Sequence, residues 1–263
     1  MLRDHRPLLV TFADKSAVRD YVASRVGSQY LPTVLGVLDD PREILGLSLP
    51  TAGYVVKPTH GSGAAVVVSP NAPVDGVLPE ARWGWVYCHV RPCAVSPDDL
   101  VDIGRHWLDK LYGQGPNREW AYGLIRPRIL VEELLSGPDG AVPDDYKFFV
   151  FHGRCRYVQV DTARFGARTH DFHRPDWEHL PLSGGHPWAD PPHPRPERLA
   201  EMIDLAEKLA VDTDFVRVDL YHLPDRIVFG ELTSYPGGGD NPFDPEHFNE
   251  EFGRWWTVPK RYR

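Results

Sequence analysis

Arg217, Asp219, Glu231 and Thr233 are the side chains of this 263-residue chain best placed by type and spacing to do chemistry together. Arg217 and Asp219 stand two apart in FVRVDLY, so in a strand they share one face while Val216, Val218 and Leu220 take the other. Leu223-Pro224-Asp225-Arg226 then reads as a tight turn, with proline at its second position. The run IVFGELT returns, and Glu231 and Thr233 share a face on it. Closing this hairpin sets Asp219 roughly opposite Glu231. Two carboxylates side by side repel and want a cation. Oxygen ligands suit Mg2+, which takes one or two carboxylates and shares itself with substrate phosphates. The other reading is a surface carboxylate pair neutralised by Arg217. The loop Pro236-Gly237-Gly238-Gly239 follows directly and lets backbone approach a ligand closely.

A second candidate lies upstream, in YVVKPTHGSGAAVVV (residues 54–68). It reads as strand, glycine loop, strand. A P-loop or dinucleotide fingerprint would need a helix after its glycines, so a helix terminus is not available to hold phosphate. A loop between antiparallel strands can instead fold over phosphates and donate backbone N–H groups, with Lys57 as a phosphate lysine. An ordinary hairpin with a polar tip is the alternative. Further upstream, Asp14-Lys15-Ser16 opens a helix with Asp14 as its cap, an apolar stripe Val18, Tyr21, Val22 and Val26, and Gly27 as its stop. Lys15 sits in the first turn, where the helix dipole disfavours a cation, as fits a lysine reaching for an anion.

These residues need elements to position them. A short helix is expected from Asp40-Pro41 to about Leu47 and a strand over residues 82–95. A helix capped by Ser96-Pro97-Asp98-Asp99 carries Leu100, Ile103, Trp107, Leu108 and Leu111 on one side. Residues 128–135 form an apolar strand ending in Glu132-Glu133, which either meets a ribose or adenine amino group or is a polar strand end. Residues 145–151 and 156–161 form a hairpin through Gly153, and Lys147, on so apolar a strand, should face a cleft. Residues 172–195 are expected as a long irregular loop whose histidines, His173, His179, His186 and His193, have no metal-motif spacing. Pro196 then starts an amphipathic helix to about Ala210.

Composition bounds the function. The net charge of -8 argues against a basic surface for nucleic acid. Cys88, Cys93 and Cys155 fall in no Cys-x-x-Cys spacing and fit reduced thiols in a cytosolic protein. There is no apolar run of about 18 residues, so a soluble, cytoplasmic chain with no membrane span is expected.

In order and spacing, ADKSAVRDYV, YVVKPTHGSG, ILVEELL, DYKFFVFHG, VQVDTARF with the later DW, and FVRVDLY through FGELTSYPGGG resemble the ATP-grasp superfamily, and more narrowly its TupA-like members linked to teichuronopeptide and other surface-polymer biosynthesis. The resemblance implies an α+β ATP-grasp fold, two lobes clamping ATP: a smaller one over about 50–135, and a larger one from 1–49 with 136–263. Lys15 and Lys57 would hold phosphates, and His60, Gly61, Ser62 and Gly63 would close over them. Glu132, Glu133 and the backbone at Leu134 and Leu135 would form the adenine hinge, and Lys147 a further nucleotide contact. Asp219 and Glu231 would bind Mg2+, and Arg217 would neutralise the transferring phosphoryl group. Two departures stand out. Thr233 occupies a position where these ligases commonly place Asn, and the substrate domain that usually precedes Lys15 is almost absent.

The activity expected is an ATP- and Mg2+-dependent carboxylate–amine ligase acting through an acylphosphate on a small-molecule, peptide or sugar carboxylate and an amine. A kinase using the same site and a non-catalytic nucleotide-binding module are the alternatives. Acceptor recognition falls to the 161–195 loop, the 237–243 loop or a partner. Arg164, which follows the strand at 157–160, is expected to grip the acceptor's anionic group or the transferring phosphoryl group through its guanidinium fork. A surface ion pair with Asp161 or Asp171 is the other reading.

Overall fold

The computed structural model describes residues 4–113, 119–137, 140–163 and 165–259. In chain order the elements are α1 (Pro7–Ala13), α2 (Val18–Val26), β1 (Val34–Leu38), β2 (Tyr54–Pro58), β3 (Ala65–Val68), β4 (Tyr87–Val90), α3 (Pro97–Leu108), β5 (Ile129–Glu133), β6 (Asp145–Phe151), β7 (Arg154–Thr162), β8 (Thr169–His173), β9 (His179–Leu180), α4 (Leu199–Leu209), β10 (Phe215–His222), β11 (Ile227–Thr233) and α5 (His247–Arg254). The fold is α+β. The chain divides into two compact units, one of Pro7–Val18 with Pro32–Leu135, the other of Met1–Arg6, Arg19–Leu31 and Ser136–Arg263. Among the described residues no helix is long and apolar enough to cross a membrane.

The first unit is built on a five-stranded sheet of order β1-β5-β2-β3-β4. Its pairs are antiparallel except β3 with β4. Val56, Val66, Val68, Ile129 and Val131 form one apolar face against Leu100, Ile103 and Trp107 of α3. The α3 start is a capping box: Ser96 Oγ accepts from Asp99 N, and Asp99 Oδ2 accepts from Ser96 N. The short helix after Asp40 is a 3-10 run, Pro41–Gly46, with its own Asp40–Glu43 capping box. The strand expected over residues 82–95 shrinks to β4, flanked by 3-10 turns at Ala81–Trp83 and Pro92–Ala94. Pro92 lacks the N–H that would continue the ladder. At the chain start Asp14 accepts from Ser16 N and Ala17 N as a cap does, yet the regular helix begins only at Val18. Gly27 ends that stretch with a φ of 103°, a conformation glycine adopts freely.

The second unit holds a six-stranded antiparallel sheet, β11-β10-β6-β7-β8-β9. Helix α4 lies on β6, β7 and β10. Val216, Val218, Phe148, Val150, Val158 and Val160 are fully buried. On the opposite face Phe149, Phe151, Tyr157 and Phe172 pack with Phe248 and Phe252 of α5, and the Phe252 ring stacks on Tyr157 at 3.7 Å. The rest of that face is polar.

One irregularity sets the register of the hairpin. His222 pairs with Ile227, Tyr221 with Val228 and Leu220 with Phe229, but Asp219 pairs with Glu231, so Gly230 is an extra residue in β11. Without this bulge Asp219 would face Gly230, and Glu231 would turn to the apolar side.

The expected irregular loop over 172–195 is in part β-structure, β8 and β9 joined by a tight turn in which Arg174 N donates to Glu178 O. Strands this short leave no readable period. The turn holds Trp177 at a φ of 79° and lays its ring on His173 at 4.1 Å. His173 is 1% exposed, His179 lies 3.3 Å from Asp171, and His193 is hydrogen-bonded to Asp144 at 2.9 Å. These three are packed side chains and not free loop histidines.

Burial holds His173 neutral, lowering its pKa to about 4, with His179 and His193 adding to the effect. An unfolded histidine takes up its proton near 6.5, so stability is lost as pH falls from there towards 4. His173→Phe keeps the ring stack and removes the titration. Over that window its urea unfolding free energy should fall by about 3 kcal/mol less than the wild type's.

Candidate functional site

Across the polar face of the second unit the register lines up Glu231, Asp219, Lys147 and Gln159 in one row on β11, β10, β6 and β7. The next row holds Asp145, Asp161 and His170. The bulge at Gly230 puts Glu231 into the first row. Its backbone approaches that of β10, where a Cβ on Gly230 would lie 3.1 Å from Asp219 O.

Arg217 forks over the two carboxylates. Its Nε and Nη2 donate to Asp219 Oδ1 and Oδ2, each at 2.7 Å, and Nη2 also donates to Glu231 Oε1 at 2.8 Å. Thr233 Oγ1 accepts from the same Nη2 at 3.1 Å and donates to Glu231 Oε1 at 3.0 Å. From the other side Lys147 Nζ donates to Asp219 Oδ2 at 2.8 Å and to Asp145 Oδ2, and lies 3.7 Å from Asp161 Oδ2. Asp219 is 2% exposed, whereas the Glu231 side chain is 39% exposed. Lys147 is 5% exposed and does not face an open cleft; carboxylates around it make its burial tolerable.

The electrostatics follow the packing. Burial pushes the Asp219 carboxyl up, to about 6, against the pull of Arg217 and Lys147. Burial alone would lower Arg217 and Lys147, but Asp219 with Glu231 raises the one, and Asp145 with Asp219 raises the other. Both cations stay charged.

Asp219 and Glu231 are hard oxygen donors on one face, and this fits Mg2+. Among the described residues no group of three or more His, Cys, Asp or Glu side chains comes together to hold a metal ion by itself. An ion here needs oxygens from elsewhere, as Mg2+ commonly takes from phosphates. Arg164 lies outside the described residues.

In the first unit Lys57 pairs with Glu132, Nζ to Oε2 at 2.5 Å, on the sheet face opposite Val56 and Val131. Glu133 turns away, its Oε1 accepting from Thr33 N at 2.7 Å. Leu134 and Leu135 follow directly and are half-buried, and Leu134 packs on Gly53. Lys15 N donates to Thr59 O at 3.1 Å, and Lys15 Nζ donates to Gly61 O, so this lysine is tied to the glycine loop. His60 is buried, its Nε2 bonded to Trp107 O at 3.0 Å, and burial lowers its pKa. Gly61 lies on Trp85, where a Cβ would come within 2.7 Å of the indole ring. The loop is therefore anchored at His60–Gly61, while Ser62 is half-buried and Gly63 exposed.

Sequence reasoning missed Asp145, Gln159 and His170 as members of the polar face. The signal was present for Asp145 and Lys147, whose spacing repeats that of Arg217 and Asp219. His170 gave none, because it joins the face only through the pairing of β7 with β8.

The family model described as TupA-like ATPgrasp matches residues 1–256. The chain belongs to the TupA-like ATP-grasp family. No curated relative matches it at a significant level. Among solved structures this TupA-like chain is similar to the ATP-grasp ligase PsnB complexed with a phosphomimetic variant of its minimal precursor, Mg and ADP (11% identity, TM-score 0.46, covering 95% of this chain and 60% of that one). It is similar to an L-amino acid ligase from Bacillus licheniformis (13%, TM-score 0.48, 93% and 47%). It is also similar to D-alanine–D-alanine ligase from Bacillus anthracis complexed with ATP (13%, TM-score 0.43, 86% and 57%). The chain thus spans between 47% and 60% of the length of these proteins.

The buried cluster predicts its own fragility. Lys147→Ala leaves Asp145 and Asp219 short of a cation in a dry site, and should destabilise the protein by about 3–5 kcal/mol in urea unfolding at pH 7. Adding Asp219→Asn to it should recover part of that loss.

Proposed function

We propose that this chain is an ATP- and Mg2+-dependent ligase that joins a carboxylate to an amine, through an acylphosphate, to form an amide or peptide bond. The observation that carries the reading is the Arg217 fork across Asp219 and Glu231 on one sheet face. Membership of the ATP-grasp family supports it. A substrate carboxylate oxygen attacks the γ-phosphorus and the bond to ADP breaks. The amine then attacks the acyl carbon, a proton leaves its nitrogen, and inorganic phosphate departs. Such chemistry asks mainly for positioning and for positive charge set where negative charge gathers.

The chain's residues divide that work. Arg217 lends charge to the phosphoryl oxygens as the group moves. Lys15 and Lys57 bind the nucleotide's phosphates, exchanging Gly61 O and Glu132 for phosphate oxygens, and Ser62 and Gly63 cover them. Glu132, Glu133 and the backbone at Leu134 and Leu135 take the adenine and ribose. Asp219 and Glu231 would hold Mg2+, which would supply further positive charge to the phosphates. Lys147 fixes Asp219 in place and stands as a further nucleotide contact. The substrates on this reading are a small-molecule, peptide or sugar carboxylate and an amine, in surface-polymer or secondary-metabolite biosynthesis.

Three measurements test this. With ATP, Mg2+ and cell extract, mass analysis should find a new amide with ADP; a phosphate ester would make the protein a kinase. ATP at about 100 times its Kd should stabilise the wild type by roughly 2.7 kcal/mol. Lys57→Ala should lose most of that shift, and an unchanged shift would remove Lys57 from the phosphate site. Glu231→Gln keeps the shape and drops the charge, so its turnover should demand more Mg2+ while its thermal unfolding stays near the wild type's. Normal turnover at low Mg2+ would clear Glu231 of a ligand role.

A further inference from the structure

The far end of the polar face carries hydrogen-bonding capacity that the site described above does not use. Arg168, just before β8, and His170, two residues on within it, both reach Asp161. Arg168 Nη2 donates to Asp161 Oδ2 at 2.6 Å, and His170 Nε2 stands 3.4 Å from Oδ1. Yet Arg168 Nε and both ring nitrogens of His170 are buried with no hydrogen-bond partner among the described residues. Buried polar groups in folded proteins are nearly always satisfied, so three in one place call for a ligand or an ordered solvent molecule. The His170 side chain is 9% exposed, covered in part by His186 with ring centres 4.2 Å apart.

The chemistry of these atoms selects the ligand. A guanidinium has donors and no acceptor, so its free edge gives an ammonium nothing to bind. It matches a carboxylate, to which the neutral imidazole adds one N–H. Asp161 does not forbid an anion here. Its Oδ1 already accepts from Gln159 Nε2 at 2.6 Å, and its Oδ2 faces both Arg168 and Lys147. Its charge is compensated from within the face.

We infer that Arg168 and His170 form a subsite for a carboxylate of the substrate, reached when the His186 ring moves aside. This rests on the ligase reading and deepens it. The carboxylate has two sources: the one that becomes phosphorylated, or a spectator carboxylate on the amine substrate. Lys147, between Asp219 and Asp161, joins this subsite to the Arg217 end.

The test is equilibrium binding by calorimetry, both with and without a non-hydrolysable ATP analogue and Mg2+. The probes are free amino acids, N-acetyl amino acids and amino acid amides. At least one carboxylate-bearing probe should bind the wild type and its amide should not. Arg168→Gln and His170→Ala should weaken that binding by at least about tenfold, the scale of losing a charge-assisted hydrogen bond. Affinity for the nucleotide analogue should stay within about twofold, since neither side chain is placed at the phosphates. The imidazole resonances of His170 should shift with the probe in the wild type and not in Arg168→Gln. ADP release driven by an N-acetyl amino acid and ATP, with no amine, identifies the phosphorylated carboxylate. Binding without release identifies the spectator. Should His170→Ala not fold, Arg168→Gln decides alone. Unchanged probe affinity in Arg168→Gln, equal binding of the amides, or no carboxylate probe bound by the wild type overturns the subsite. Failure of nucleotide binding alone overturns the ligase reading instead, because probe affinity is also measured without nucleotide.

Discussion

A carboxylate taken almost wholly out of water, Asp219, sets the terms for one half of this molecule. An isolated charge at that depth would neutralise itself by taking up a proton. It stays ionisable near neutrality because Arg217 grips both its oxygens and Lys147 also donates to Oδ2. Each cation in turn needs more than one carboxylate, and so Glu231, Asp145 and Asp161 are drawn into the same sheet face. The arrangement explains why β6 and β10, neighbours in the sheet, are apolar on one side and charged on the other. It also confines Phe149, Phe151 and Tyr157 to the end of that face covered by α5.

The first unit shows the same economy on a smaller scale. Lys57 and Lys15 are both fixed by local oxygens, one from a carboxylate and one from a main-chain carbonyl. A lysine held this way has lost much of its rotamer freedom before any ligand arrives. On the proposed nucleotide reading, an anion would exchange one oxygen for another and order little that was not ordered already. The contact to Gly61 O ties Lys15 to a loop that Trp85 and Trp107 hold from beneath.

Much of this was legible in the sequence, and the limits have physical causes. The hairpin of β10 and β11 could be read because alternation, a proline turn and paired charges agree. Lys57 and its glycine loop could be read because β-branched runs flank them. The α3 cap was visible as Ser-Pro-Asp-Asp. Other parts were not, helix α1 among them. The strand β1, VLGVL, carries a glycine and no alternation, and gains its identity from pairing with β5. Strands β8 and β9 hide in a stretch rich in His and Pro, where the Trp177 ring on His173 and the His179–Asp171 contact override composition. The polar face beyond Lys147 depends on which strand lies beside which, and no local pattern encodes that. The sequence also misleads about Lys147, since a lone lysine in an apolar run looks solvent-seeking until its carboxylate neighbours are known.

The extra residue at Gly230 has a second effect. Strand β11 is the last of its sheet among the described residues, and its outer side would offer a row of backbone groups to any other chain. A strand that carries a bulge is bent and more strongly twisted, which makes it a poor template for docking another strand. The turn at Ser28–Tyr30 also lies against it. The distortion that aims Glu231 at its partners thus also spoils the edge for edge-to-edge association. A β11 made regular by losing Gly230 would misplace a carboxylate and, at the same time, offer a straighter seam along which copies of the protein could aggregate.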